Sequence, residues 1–178
     1  GEATQGWCPT IVDTNGDGKI TKPWNEPVGA TGGEEGGGGS YPSLDPKLDT
    51  RVVVGAYGII VSPVDGSIWG ANATYPGRIL RLDVGNAPPQ SCIAEVYAVP
   101  SPEWGATGGN DERGAKPRGI DIDRNGVIWT ALSASGHLAS FDRRKCKTPA
   151  TAANAHTGQH CLEGWTLYPM PGSIPFKG

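Results

Sequence analysis

The chain of 178 residues carries a formal net charge of -3, and its one basic run is the short stretch at 143–147. That excludes a nucleic-acid footprint, which needs clustered Lys and Arg, and makes the run a solvated loop. No apolar stretch reaches the ~18 residues of a membrane span, and no signal-type apolar segment is present. Gly 28 and Pro 16 together make up about a quarter of the chain. They punctuate alternating apolar runs, and no i, i+3, i+4 pattern is sustained, so the fold class is all-β. The chain starts at Gly1 and its one methionine is Met170, which fits a processed or partial polypeptide.

The first 24 residues hold a short strand at Ile11 and Val12, a polar loop, and a second strand at Lys19, Ile20 and Thr21. The loop, from Asp13 through Asn15, Gly16, Asp17 and Gly18 to Ile20, has oxygen ligands at positions 1, 3 and 5, Gly at 6 and an apolar residue at 8. That is the front half of a calcium-binding loop of the EF-hand type, where alternate residues of a tight turn aim their oxygens inward. The expected ligands are Asp13, Asn15, Asp17 and the Lys19 carbonyl. Position 12 is Trp24, so Glu26 is expected to supply the missing carboxylate; Pro23 and Pro27 preclude a following helix. The bland alternative is a hairpin turn without metal.

Residues 25–50 read as a Gly-rich insertion or linker. A strand is expected at 51–54. From 57 a unit of four strands follows: 57–63, a turn at Asp65-Gly66, 67–72, a turn at Pro76-Gly77, 78–83, and 94–100. A second unit starts at Arg118, with turns at Asn125-Gly126 and Ser135-Gly136. Gly58 and Gly119, Trp69 and Trp129, Gly77 and Gly136, and Asp83 and Asp142 are offset by 61, 60, 59 and 59 residues. A near-constant offset is an internal repeat. The fourth strand of the second unit is expected at 165–169, aligned with 96–100. The stretch 6–22 reads as the opening of an earlier, divergent copy, and 171–178 as the lead-in to another.

Repeated four-stranded antiparallel units read as β-propeller blades. Two blades do not close a ring, so the chain is expected to be part of a larger propeller, completed by further blades, an oligomer or a partner. The alternative is a small β-sandwich. The equivalent residues Trp69 and Trp129 are expected to pack between blades. Asp83, Asp121, Asp123 and Asp142 recur at blade positions, which assigns them to turns.

The four cysteines form no C-x-x-C pair, which leaves zinc and thioredoxin-like readings without support. An even count suits disulfides and an extracellular or periplasmic compartment. Cys146 with Cys161 is the expected pair and Cys8 with Cys92 follows by elimination, buried free thiols being the alternative. No serine-hydrolase, phosphate-loop or zinc-protease motif occurs.

The second unit resembles a blade of the virginiamycin B lyase-like (streptogramin lyase) propellers, relatives in form of the NHL type. The resemblance rests on Pro117-Arg118-Gly119-Ile120, on Asp123-Arg124-Asn125-Gly126-Val127-Ile128-Trp129, on 136–142 and on 165–171. It covers roughly 55–178 and, weakly, 6–24. It implies a propeller fold. It also implies, as an alternative function, metal-dependent opening of a cyclic lactone by histidines and glutamates at a central channel. At the places where such relatives often carry histidine this chain has Tyr57 and Arg118, while His137, His156 and His160 lie elsewhere. Tyr57 and Arg118 are therefore channel-mouth binding candidates, and no catalytic residue is carried over. The expected function is a secreted binding or structural interaction module stabilised by calcium and disulfides.

Overall fold

The computed structural model describes residues 6–26, 45–74, 76–101, 114–148, 150–151 and 154–172. The Gly-rich stretch at 27–44, the segment at 102–113 with Trp104, and the end of the tail at 173–178 lie outside them. Among the described residues the regular structure is strand, apart from 3-10 turns at Arg143–Lys145 and Gln159–Gly164. The strands in chain order are β1 (Ile11–Val12), β2 (Trp24–Asn25), β3 (Asp49–Arg51), β4 (Ala56–Val61), β5 (Ile68–Asn72), β6 (Arg78–Asp83), β7 (Ile93–Ala98), β8 (Pro117–Ile122), β9 (Ile128–Leu132), β10 (His137–Phe141) and β11 (Trp165–Pro169).

Two antiparallel meanders result, β4 to β7 and β8 to β11. Each opens on a hairpin whose turn places a glycine in the left-handed region, Gly66 at φ 72° and Gly126 at φ 80°, a conformation other residues adopt only with strain. Asp83, Asp123 and Asp142 serve turns, whereas Asp121 lies inside β8 and, among the described residues, accepts only the amide of Ile122. Asp123 accepts hydrogen bonds from the amides of Asn125 (2.8 Å) and Val127 (3.0 Å), and Asp142 caps the turn at Arg143–Lys145 through the Arg144 amide.

The ladder registers make the meanders superimposable: Trp69 lies opposite Ile60 and Arg81, and Trp129 lies opposite Asp121 and Ser140. They also correct the alignment of the fourth strands. Ala71–Ile79–Tyr97 corresponds to Ala131–Leu138–Tyr168, so Tyr168 matches Tyr97 and not Val99. The alternation is the same in either phase, and only cross-strand pairing fixes the register.

The meanders stack face to face, β4 and β5 lying against β8. The Trp69 side of the first, with Ile79 and Tyr97, meets the opposite side of the second, with Ile128, Leu132, Ala139, Phe141 and Trp165. The approach is close: a Cβ on Gly58 would lie 2.9 Å from the Arg118 carbonyl oxygen, so the two first strands meet where one of them lacks a side chain.

The N-terminal strands extend the first sheet. Its order is β2-β3-β1-β7-β6-β5-β4, with β1 parallel to β7 and antiparallel to β3. Residues 19–21 form no ladder, the Lys19 amide being bonded to Asp17. The strand expected at 51–54 is the ladder Asp49–Arg51, after which the Val52 amide bonds the Thr10 carbonyl. Val12 and Val52 cover Leu80, Ala94 and Val96 in a second, smaller core. Two disulfides hold the ensemble, Cys8–Cys92 (Cα–Cα 5.6 Å) tying the N-terminal segment to β7 and Cys146–Cys161 (5.0 Å) closing the loop between β10 and β11.

Candidate metal site

The loop after β1 is organised by its own carboxylates. Asp13 accepts the amides of Gly16 (2.7 Å) and Gly18 (2.8 Å), one on each oxygen. The Asn15 and Asp17 side chains accept the amides of Asp17 (3.0 Å) and Lys19 (2.8 Å). Ile20, the apolar residue of the motif, is buried at 7% exposure and anchors the far end. A run of Asx turns of this kind presents side-chain and carbonyl oxygens to one side of the loop.

The structure gives Glu26 a different place from the one its spacing suggests. Its carboxylate pairs with Arg51 (2.8 Å) and Lys22 (3.1 Å) and accepts the Trp24 indole N–H (2.9 Å). These partners, Arg51 foremost, hold its pKa down to about 2. Three donors already satisfy it, and it is drawn toward the cations across β3.

A residue that spacing did not reveal stands beside the loop. Asp49 is 0% exposed, and among the described residues neither carboxylate oxygen has a hydrogen-bond partner. The register Ile11 to Arg51 and Val12 to Thr50, carried one residue further, sets Asp49 opposite Asp13, and Trp24 is its partner on the other edge. Thr14 brackets it, donating to the Leu48 carbonyl (2.6 Å) and lying 3.3 Å from the Thr50 hydroxyl. Burial raises its pKa first, and the charges of Asp13 and Asp17 raise it further; the amides of Thr21 and Asn15 face it and oppose the rise without reaching hydrogen-bond geometry. Among the described residues no cationic side chain forms an ion pair with Asp13, Asp17 or Asp49. Burying a carboxylate unpaired costs several kcal/mol. Among the described residues no three His, Cys, Asp or Glu side chains converge at ligand distance. The donor set here mixes carboxylates with an amide and a carbonyl, which is the hard-oxygen chemistry that suits calcium.

Two other polar groupings lie at the contact between the meanders. Tyr57 and Arg118, equivalent residues of β4 and β8, are brought together: the guanidinium sits 5.0 Å from the ring centroid, a cation–π contact. At the outer edge Arg143 grips Glu95 through two bonds (2.9 and 2.5 Å) and donates to the Tyr97 hydroxyl (2.8 Å), while Arg81 joins Glu95 to Asp65 and Asp83. Glu95, Tyr97 and Arg143 line a cleft of 340 Å³ with His160 at one side. Burial pushes the Tyr97 hydroxyl above its ordinary range and His160 below its own. Arg143 follows β10 and Glu95 lies on β7, so this network fastens one meander to the other. Sequence reasoning missed it, because an interdigitated ion pair 48 residues apart leaves no local pattern.

The Trp–Tyr pairs complete the picture. Trp69 and Tyr97 stack at 6.0 Å and 19°, and the equivalent Trp129 and Tyr168 stack at 5.8 Å and 20°. The first pair is buried under the second meander, at 3% and 2% exposure, whereas Tyr168 is 42% exposed. On the opposite side of the first meander Ile59 and Val61 are exposed, while their equivalents Ile120 and Ile122 pack into the shared core. No family model matches the chain, and no curated protein or solved structure matches it either.

Proposed function

We propose that the chain is a segment of a secreted β-propeller of the virginiamycin B lyase-like kind. In this reading it acts as a binding and structural interaction module, stabilised by two disulfides and calcium. One observation carries the proposal. The same stacked Trp–Tyr pair occurs in both meanders, buried by a neighbour in the first, while in the second Tyr168 is exposed and Trp129 is only half-buried. The complementary side, Ile59 and Val61, is uncovered at the other end of the stack. Each sheet therefore offers one face to the unit after it and the other to the unit before it, a head-to-tail contact that propagates until it closes. Exposed apolar faces of this kind mark interaction surfaces, and paired cysteines fit an oxidising compartment. Among the described residues no helix is long and apolar enough to cross a membrane.

The proposal is tested with variants that each disable one face, Ile59→Glu and Tyr168→Glu. The unsubstituted chain should self-associate in sedimentation velocity as concentration rises, and each variant alone should stay monomeric. Mixed one to one, the two variants should form a heterodimer, since each keeps the face the other lacks. A chain that stays monomeric in all mixtures at high concentration would sink the proposal.

A further inference from the structure

We infer that Asp49 is the buried ligand of a calcium ion held by the Asp13–Lys19 loop, and that this ion fastens the N-terminal strands to the edge of the first sheet. The ligand set is Asp13, Asn15, Asp17, the Lys19 carbonyl and Asp49. The inference rests on the calcium part of the reading above and changes its chemistry: the carboxylate that completes the loop comes from β3, not from the residues that follow the loop.

Three independent observations converge on it. The loop carries oxygen donors at alternate positions with Gly18 at the bend. Asp49 is wholly buried, and among the described residues neither of its oxygens has a hydrogen-bond partner. Asp49 also lies at the register position facing Asp13, held there by Thr14 on both sides. Asp49 faces the loop that carries Asp13 and Asp17, and among the described residues no cationic side chain forms an ion pair with any of the three. A divalent cation neutralises that charge and occupies both free Asp49 oxygens, as the last acidic residue of a calcium loop does. Glu26 is removed from the set by its bonds to Arg51, Lys22 and Trp24.

The site has a mechanical consequence. The loop follows β1 and Asp49 opens β3, and β1 is the strand that joins β3 to β7. An ion shared between the loop and Asp49 crosslinks segments 30 or more residues apart in the chain. Calcium thus acts at the opposite end of β1 from Cys8–Cys92, and the two together pin both ends of the added strands.

The test uses the whole 178-residue chain with its disulfides intact, stripped of metal and titrated with calcium chloride by calorimetry. One ion should bind per chain with a dissociation constant no weaker than about 1 mM, the upper end for extracellular calcium modules. The thermal midpoint should rise with calcium and respond less to magnesium, which demands a tighter octahedral shell. Asp49→Asn keeps the side chain's shape and removes its charge; it should fold, and it should bind calcium more weakly by at least about tenfold. Glu26→Gln should bind like the unsubstituted chain. In that unsubstituted chain the Asp49 carboxyl carbon resonance should move on adding calcium and that of Glu26 should not, which decides the matter should Asp49→Asn fail to fold. Full affinity in Asp49→Asn, or a shift at Glu26 in place of Asp49, overturns the inference and leaves a calcium site standing. No calcium uptake by the unsubstituted chain overturns both.

Discussion

Phe141 is where the two meanders share one core, and truncating it tests whether they form one cooperative body. The side chain is 0% exposed, and its ring lies 4.6 Å from Tyr97 and 6.2 Å from Trp69 on one sheet and 5.0 Å from Trp165 on its own. Replacing a buried Phe by Ala costs about 3–5 kcal/mol, and the cost rises with the cavity that remains. Rigid sheets on both sides, stitched by Arg143 to Glu95, leave little room for collapse, so the upper half of that range applies. With a urea m-value of about 1–3 kcal/mol/M the midpoint should fall by roughly 1.3–5 M. Urea unfolding of Phe141→Ala, followed by tryptophan fluorescence and far-ultraviolet circular dichroism with calcium present, should show a single shifted transition common to both probes. A loss below about 1 kcal/mol, or two transitions of which one is unmoved, would refute the shared core.

Glu26 should titrate far below an ordinary carboxylate, near its folded pKa of about 2 against 4.5 for the free group. A depressed pKa means its contribution is complete above about pH 4.5 and is lost as pH falls toward 2; Glu26→Gln should remove that acid-dependent step, read from carboxyl carbon shifts and melting curves between pH 2 and 5. The disulfides should differ in worth. Chain entropy gives about 3 kcal/mol for the short Cys146–Cys161 loop and about 4.5 kcal/mol for the long Cys8–Cys92 loop. A Cys8→Ala, Cys92→Ala chain should therefore melt below a Cys146→Ala, Cys161→Ala chain, and the reverse order would contradict this.

Much of the fold was legible because the central strands are local. β4 to β6 and β8 to β10 alternate in polarity and turn at residues whose chemistry announces a hairpin, Asp65-Gly66 and Asn125-Gly126 above all. The cysteine pairing was legible as well, Cys146 and Cys161 by their bracketed loop and Cys8 with Cys92 by elimination. What stayed hidden is non-local. β11 returns after a disulfide loop, and its phase against β10 is set by pairing alone, so Tyr168 was matched to Val99 and not to Tyr97. β1, β2 and β3 are two or three residues long and form only because they find the free edge of β7 and one another. For the same reason Asp49, inside a stretch that reads as linker, carried no mark of its burial beside the loop. Glu26 lay at a plausible spacing, yet Arg51 from β3 takes it. The alternate oxygens of the Asp13–Lys19 loop are local and could be read, whereas the buried Asp49 beside them comes from another strand and could not.

The head-to-tail reading turns on whether the second Trp–Tyr pair is covered in the polypeptide as its source makes it. Hydroxyl-radical footprinting, read residue by residue by mass spectrometry, compares that polypeptide with the isolated 178-residue chain. Labelling of Tyr168 and Trp129, and of Ile59 and Val61 on the opposite face, should fall several-fold in the source polypeptide. Trp7, exposed on the N-terminal segment, should label equally in the two. Equal labelling of all five residues would show that no further unit covers these faces, and the account of the chain as a stackable propeller segment would be wrong.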